Sequence, residues 1–231
     1  MLFRSDVLDE RVEHSVLDAL VEDIEHAWKH GSDRVRVDIL GTVVALRPEH
    51  REQPFKLLDL YVSSDAARNI SCAPAIAHFL QLLFETRVLA FQSLTFEKGT
   101  EQRLHQDTAY VVVSEPLKLA ASWVALEDIS PGTGELEYFV GSHRLPDRPL
   151  SEVYKHFNPE RDGNQSHEDF LDWLERESRA RGLARTRFQP KKGDALIRAA
   201  DLVHGGSKIE VPGRSRRSHV THYCPVGVTP N

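Results

Sequence analysis

The sequence predicts a mainly β protein with flanking α-helices, its strands forming a sandwich or barrel rather than a series of βαβ units. Three observations predict this. From Val88 onward, short runs of β-favouring residues are separated by Gly, Pro and polar clusters. Clear helical periodicity is concentrated before that point. The chain has 231 residues, enough for one sizeable core, and all-β sandwiches and barrels of this length commonly form one domain.

In order along the chain, Asp9 to His30 predicts an amphipathic helix, because Val12, Val16, Leu17, Leu20, Val21, Ile24, Ala27 and Trp28 recur at helical spacing and Gly31 is placed to end it. Val35 to Leu40 alternates with period two, and Thr42 to Leu46 continues in β-favouring residues after Gly41, giving one or two strands. Arg47 to Gln53 is a polar loop. Pro54 to Thr86 returns to a helical pattern, broken at Ala73-Pro74. The strand runs that follow are Val88 to Glu97, Ala109 to Val113, Leu119 to Leu126, Leu136 to Val140, Arg185 to Phe188, Ala195 to Arg198 and Ser215 to Tyr223. A polar insertion, residues 141–184, interrupts them, with a helix over His167 to Arg181 built on Phe170, Leu171, Trp173 and Leu174; it is either a lid or a surface elaboration.

Composition narrows the function classes. Against 35 acidic residues stand 29 basic ones, a formal charge of −6, which argues against nucleic acid or an anionic membrane surface as the main partner. No segment has the continuous apolar length of a membrane span, and the first residues lack the pattern of a signal peptide. The two cysteines, Cys72 and Cys224, form no disulfide framework and no CxxC pair. A reducing, cytoplasmic setting is therefore expected.

The chemistry centres on His105-Gln106-Asp107. On an extended chain positions i and i+2 share a face, so an imidazole and a carboxylate would be presented together. With a second imidazole they would make a 2-His-1-carboxylate facial triad, suited to non-haem Fe(II) and leaving three positions open. The chain has twelve histidines, so one downstream proves nothing by itself. His204 stands out by position, after the run Ala195 to Arg198 and against Gly205-Gly206, small residues that let backbones approach. His143 follows a Gly-Ser turn and His219 and His222 lie on the final strand with opposite parity, while His14, His26, His30 and His50 fall at surface or helix positions. Further on, Arg214, Arg216 and Ser218 would share a strand face, and an arginine fork beside a hydroxyl suits a carboxylate. A solvated basic turn would read the same way.

An ordered set of blocks now resembles the phytanoyl-CoA dioxygenase family: Leu104-His-Gln-Asp107, Trp123 to Asp128, Gly134 to His143, Lys192-Gly-Asp194, His204-Gly205 and Arg216-Arg-Ser218 leading to His222-Tyr223. These span Phe91 to Tyr223, and the N-terminal helices match only in general character. The resemblance implies a double-stranded β-helix (jelly-roll) core over residues 88–225 in a single domain of 1–231, with residues 1–87 mostly helical. It implies Fe(II) held by His105, Asp107 and His204, with 2-oxoglutarate as co-substrate and O2 as oxidant. Arg216, with Ser218, would bind the distal carboxylate of 2-oxoglutarate, Trp123 would lie against it, and Gln92 is a further polar position in the same chamber. The His204-to-Arg216 interval is about one residue longer than the family's usual one, which keeps Arg214 as a competitor, and the family's Pro-Gly-Ser-His block here reads Val140-Gly-Ser-His143.

Related iron halogenases carry a small residue in place of Asp107, so the aspartate implies hydroxylation or another oxidation of a C–H bond, with release of succinate and CO2. The expected substrate is a small-molecule metabolite or natural-product intermediate, free or carrier-attached, lined by Gln92, Gln102, Tyr110 and the insertion, with Arg144, Arg148 or Lys155 available for an anionic group. A metal-dependent cupin-type enzyme without 2-oxoglutarate would need the triad but not Arg216 and Ser218. A non-catalytic jelly-roll binding module would tolerate loss of one ligand, and all three are present here.

Overall fold

The computed structural model describes residues 6–8, 12–150 and 155–230. Among them, strands β1 (Asp6–Leu8), β2 (Ser32–Ile39), β3 (Thr42–Leu46), β4 (Phe55–Leu58), β5 (Val88–Phe96), β6 (Ala120–Ala125), β7 (Leu136–Phe139), β8 (Arg185–Phe188), β9 (Ala195–Ala199), β10 (His204–Gly206) and β11 (Ser218–Pro225) accompany helices α1 (His14–His30), α2 (Asp65–Ser71), α3 (Pro74–Phe84) and α4 (Pro159–Ala180). Eight strands form one sheet in the order β1-β9-β6-β11-β5-β4-β2-β3, and the other three form β10-β7-β8. All pairings are antiparallel.

Two apolar layers hold this together. Between the sheets, Trp123, Leu136, Tyr138, Phe188, Leu196 and Val220 interdigitate from both inner faces. On the other side of the large sheet, α1 buries Leu17, Leu20, Ile24, Ala27 and Trp28 in a core shared with Leu57, Ile70, Ile76 and Leu80. The helix closes at Gly31, whose φ of 71° falls where a side chain is disfavoured. Residues 9–11 of the expected helix lie outside the described residues, and α1 begins at His14.

The segment 54–86 differs from its helical expectation at its start. Phe55–Leu58 is a strand, because pairing with β2 on one side and β5 on the other satisfies its backbone and leaves Leu57 fully buried. The break at Pro74 separates α2 from α3 as expected. β2 to β4 thus extend the large sheet beyond β5, so the N-terminal part and the core share one sheet. Ala109 to Val113 is not a strand either. The N–H groups of Tyr110 and Val111 turn back to the Asp107 carbonyl, each at 2.8 Å, and Val113 alone makes an isolated bridge, with Pro230. Finally, β11 begins at Ser218, which leaves Arg214 and Arg216 in the loop before it. No helix among the described residues is long and apolar enough to cross a membrane.

Candidate metal centre and co-substrate cavity

His105 and His204 meet across an antiparallel bridge, His105 N–H to His204 C=O at 2.8 Å and the reverse at 3.0 Å, which extends the small sheet by one residue. Gly205 and Gly206 allow that approach. A Cβ at Gly205 would stand 2.6 Å from the Gln102 carbonyl oxygen, and one at Gly206 2.9 Å from the Glu101 nitrogen. Asp107 follows in a 3-10 turn, not on a strand. Its own N–H is held by the Ala200 carbonyl at 2.8 Å, which fixes the carboxylate beside the two imidazoles.

One ligand atom from each of His105, Asp107 and His204 lies within 4.8 Å of the others, and all three residues are buried. His105 Nδ1–H donates to the Arg103 carbonyl at 2.7 Å and His204 Nδ1–H to the Leu202 carbonyl at 2.8 Å. These bonds fix the tautomer, so both Nε2 lone pairs face Asp107 Oδ1, at 3.9 and 3.4 Å. Burial pushes the His105 imidazole down to about 3, and His204 is lowered by burial and by the Arg198 guanidinium. Both are neutral donors at pH 7. Burial alone would raise the Asp107 carboxyl, but Arg198, His204 and His222 around it hold it well below the usual carboxylate range. Two neutral nitrogens and one carboxylate converging on one point are the donor set of an Fe(II) site.

The centre opens into a cavity of about 630 Å³. Its floor is ruled by sheet register. Arg198, Ala121, His222 and Gln92 are consecutive Cα partners across β9, β6, β11 and β5; in the next inward-facing row the partners are Leu196, Trp123, Val220 and Leu94. Ser218 follows two residues along β11, paired with Ala125 and Phe96. Arg216 reaches the cavity from the loop before it, 4 % exposed, its Nη1 donating to Ser218 Oγ at 2.8 Å and its Cζ 5.4 and 5.5 Å from the Phe96 and Trp123 ring centres. Burial lowers this guanidinium to about 10 in spite of the attraction of Glu127 and Glu135, and its Nε is buried without a hydrogen-bond partner. A buried cation on an aromatic floor with an unused donor fits a carboxylate arriving from the cavity.

The remaining sequence candidates separate cleanly. Arg214 is exposed and does not line this cavity. Gln92, Gln102 and Tyr110 do line it, and Gln102 Nε2 stands 3.4 Å from His105 Nε2. His219 points to the other face of the sheet, bonded to Ser71 and Thr95. Lys155 is engaged by Asp147 and Asp201, and Arg148 lies over the Trp173 ring. From the insertion, α4 brings His167, Glu168 and Leu171 to the cavity wall, and His167 Nε2 is 2.6 Å from the Tyr110 hydroxyl. Arg198 was not singled out from sequence, and His222 stood there only among the histidines weighed against His204; both are bonded to Asp107 Oδ2. Strand parity carried a signal for the second, since His222 shares a face with Ser218.

The phytanoyl-CoA dioxygenase (PhyH) family model matches residues 4–218. No curated protein sequence matches the chain. Among solved structures, the chain is similar to the non-heme alpha ketoglutarate dependent epimerase SnoN from nogalamycin biosynthesis, at 17 % identity and TM-score 0.67 over 97 % of this chain and 78 % of that one. It is also similar to the carbocyclase SnoK from the same biosynthesis, at 16 % identity and TM-score 0.66 over 97 % and 81 %. EctD from S. alaskensis, solved with 2-oxoglutarate and 5-hydroxyectoine, aligns at 18 % identity and TM-score 0.66 over 97 % and 73 %. At these identities the likeness is one of fold, the jelly roll of Fe(II)/2-oxoglutarate oxygenases.

Proposed function

The chain belongs to the phytanoyl-CoA dioxygenase family, whose enzymes use Fe(II), 2-oxoglutarate and O2, and on that premise we propose that it hydroxylates a C–H bond of a small-molecule metabolite or natural-product intermediate in the reducing cytoplasm. The observation that carries this reading is the pairing of two features in one cavity: the buried His105, Asp107 and His204 donor set, and the buried Arg216 with an unpartnered Nε.

In this reading His105 Nε2, Asp107 Oδ1 and His204 Nε2 would hold the iron, and Arg216 with Ser218 would bind the distal carboxylate of 2-oxoglutarate over Trp123. Bound Fe(II) with 2-oxoglutarate and O2 supplies oxidative decarboxylation to succinate and CO2 coupled to oxidation of the substrate. The chain's own part is orientation and exclusion of water. Leu94, Trp123, Leu136 and Val220 form an apolar sleeve between the metal centre and Arg216, which strengthens every charge interaction inside it. Gln92 presents a buried, unpartnered Oε1 beside His222, and Gln102, Tyr110 and His167 line the substrate side. These polar groups favour a substrate with hydrogen-bonding groups near the oxidised carbon, free or carrier-attached.

Asp107, which keeps a carboxylate in the triad, supports oxidation rather than halogenation; desaturation, epimerisation and ring formation would use the same site, and hydroxylation is proposed as the default outcome of this chemistry. The test is a metabolite screen by succinate release, followed by turnover of the hit under ¹⁸O2. Label in the product supports hydroxylation, and an unlabelled, isomerised or cyclised product overturns it.

A further inference from the structure

Arg198 is unexplained by the roles given so far. It sits near the end of β9, among residues that are otherwise apolar, and is 3 % exposed. Across the sheet its partner on β6 is Ala121, and Ala121's partner on β11 is His222. The methyl of Ala121 leaves a gap in this row, and the two long side chains on either side converge on Asp107. Arg198 Nη1 and His222 Nε2 both bond Oδ2, the latter at 3.3 Å. The other oxygen, Oδ1, is the one turned to His204 Nε2 and His105 Nε2. The carboxylate is therefore divided, one oxygen facing the imidazoles and the other engaged by two donors from the floor.

We propose that Arg198, helped by His222, is a positioning residue that keeps Asp107 to ligation through a single oxygen; this rests on the reading of His105, Asp107 and His204 as the metal ligands. The consequence is a matter of counting. With Asp107 bound through one oxygen the protein takes three of six positions, leaving two for a chelating keto acid and one for O2. If Oδ2 were free to bind as well, the protein would take four, and chelation and O2 would compete for the remaining two. Hydrogen bonds to the outer oxygen of a ligating carboxylate hold it in the orientation the site needs. An apolar neighbour at position 198 would supply neither the donor nor the balancing charge for a buried carboxylate.

The experiment uses the full chain loaded anaerobically with Co(II), whose d–d absorption reports coordination number, followed by titration with 2-oxoglutarate. With Arg198→Leu we expect a d–d spectrum altered from that of the unsubstituted protein and a 2-oxoglutarate requirement raised about tenfold or more, while Arg198→Lys stays within roughly threefold in requirement and keeps the spectrum. A leucine variant with unchanged spectrum and requirement would show that Arg198 only balances buried charge, and overturns the proposal; so does a lysine variant as impaired as the leucine one. Should the leucine variant not fold, Arg198→Met, which also lacks a donor, is read in its place, with the same expectation. Failure of the unsubstituted protein to take up Co(II) is a separate result, and it sinks the ligand assignment along with this inference.

Discussion

Replacing Arg216 with methionine should separate what this side chain does for the fold from what it does for a ligand. In the free protein the guanidinium is buried, donates to Ser218 Oγ and the Lys98 carbonyl, and meets no carboxylate in direct contact among the described residues. Burial lowers its proton affinity to about 10, which corresponds to ~3 kcal/mol spent holding the charge there. Methionine keeps the contact with Phe96 and Trp123 and removes that cost. The melting temperature of the free protein should therefore stay within about 2 °C or rise. Binding of 2-oxoglutarate should suffer in the opposite sense, because losing one partner of a buried, charge-assisted pair costs ~2–5 kcal/mol, roughly 30- to 5,000-fold in Kd. The assays are differential scanning fluorimetry of the metal-free protein and anaerobic titration of the Fe(II) protein with 2-oxoglutarate. A variant that melts several degrees lower yet binds 2-oxoglutarate normally would refute the reasoning, making Arg216 a structural residue.

Other expectations follow from the same geometry. Arg214→Ala should change 2-oxoglutarate affinity by less than about twofold, since an exposed cation contributes little; a larger loss than that of the Arg216 variant would transfer the carboxylate role to Arg214. Gly205→Ala places a Cβ against the Gln102 carbonyl, so the bridge between His105 and His204 must open; stability should fall by ~1–3 kcal/mol with metal affinity falling alongside, as read by urea unfolding and metal titration. Burial lowers His105 to about 3 and His219 to about 4, whereas both titrate near 6.5 in the unfolded chain. The unfolded state then holds more protons below about pH 6.5, so stability is complete above that pH and lost as pH falls toward 4, with ~3 kcal/mol attributable to His219 alone. Melting temperatures of the metal-free protein measured from pH 7.5 to 4.5 check this, and a flat profile would contradict it.

The sequence made parts of this site legible for a physical reason. His105 and Asp107 are two residues apart, so almost any extended or bridged backbone brings them together, even though the local element proved to be a bridge and a turn rather than a strand. His204 was marked by the glycines that its neighbours must be, because the chain at 101–104 lies against them. Arg198 left no such mark. Which way an arginine points from an apolar run depends on the register of β9 against β6, and a long-range pairing is invisible in local spacing. The same holds for Phe55–Leu58, whose apolar residues suit either period and whose strand is decided by β2 and β5. Arg214 and Arg216 were indistinguishable by parity; they differ because the strand starts at Ser218, and only Arg216 turns inward.

The central claim is that His105, Asp107 and His204 form a ferrous centre that 2-oxoglutarate chelates while Arg216 holds its far end. The most direct test is an anaerobic titration of the metal-free protein with Fe(II) and then 2-oxoglutarate, watching for the visible charge-transfer band of a keto acid chelated to ferrous iron. The account predicts a saturable band that is abolished in His204→Ala. Iron bound without the band, or a band that persists undiminished in His204→Ala, would contradict it.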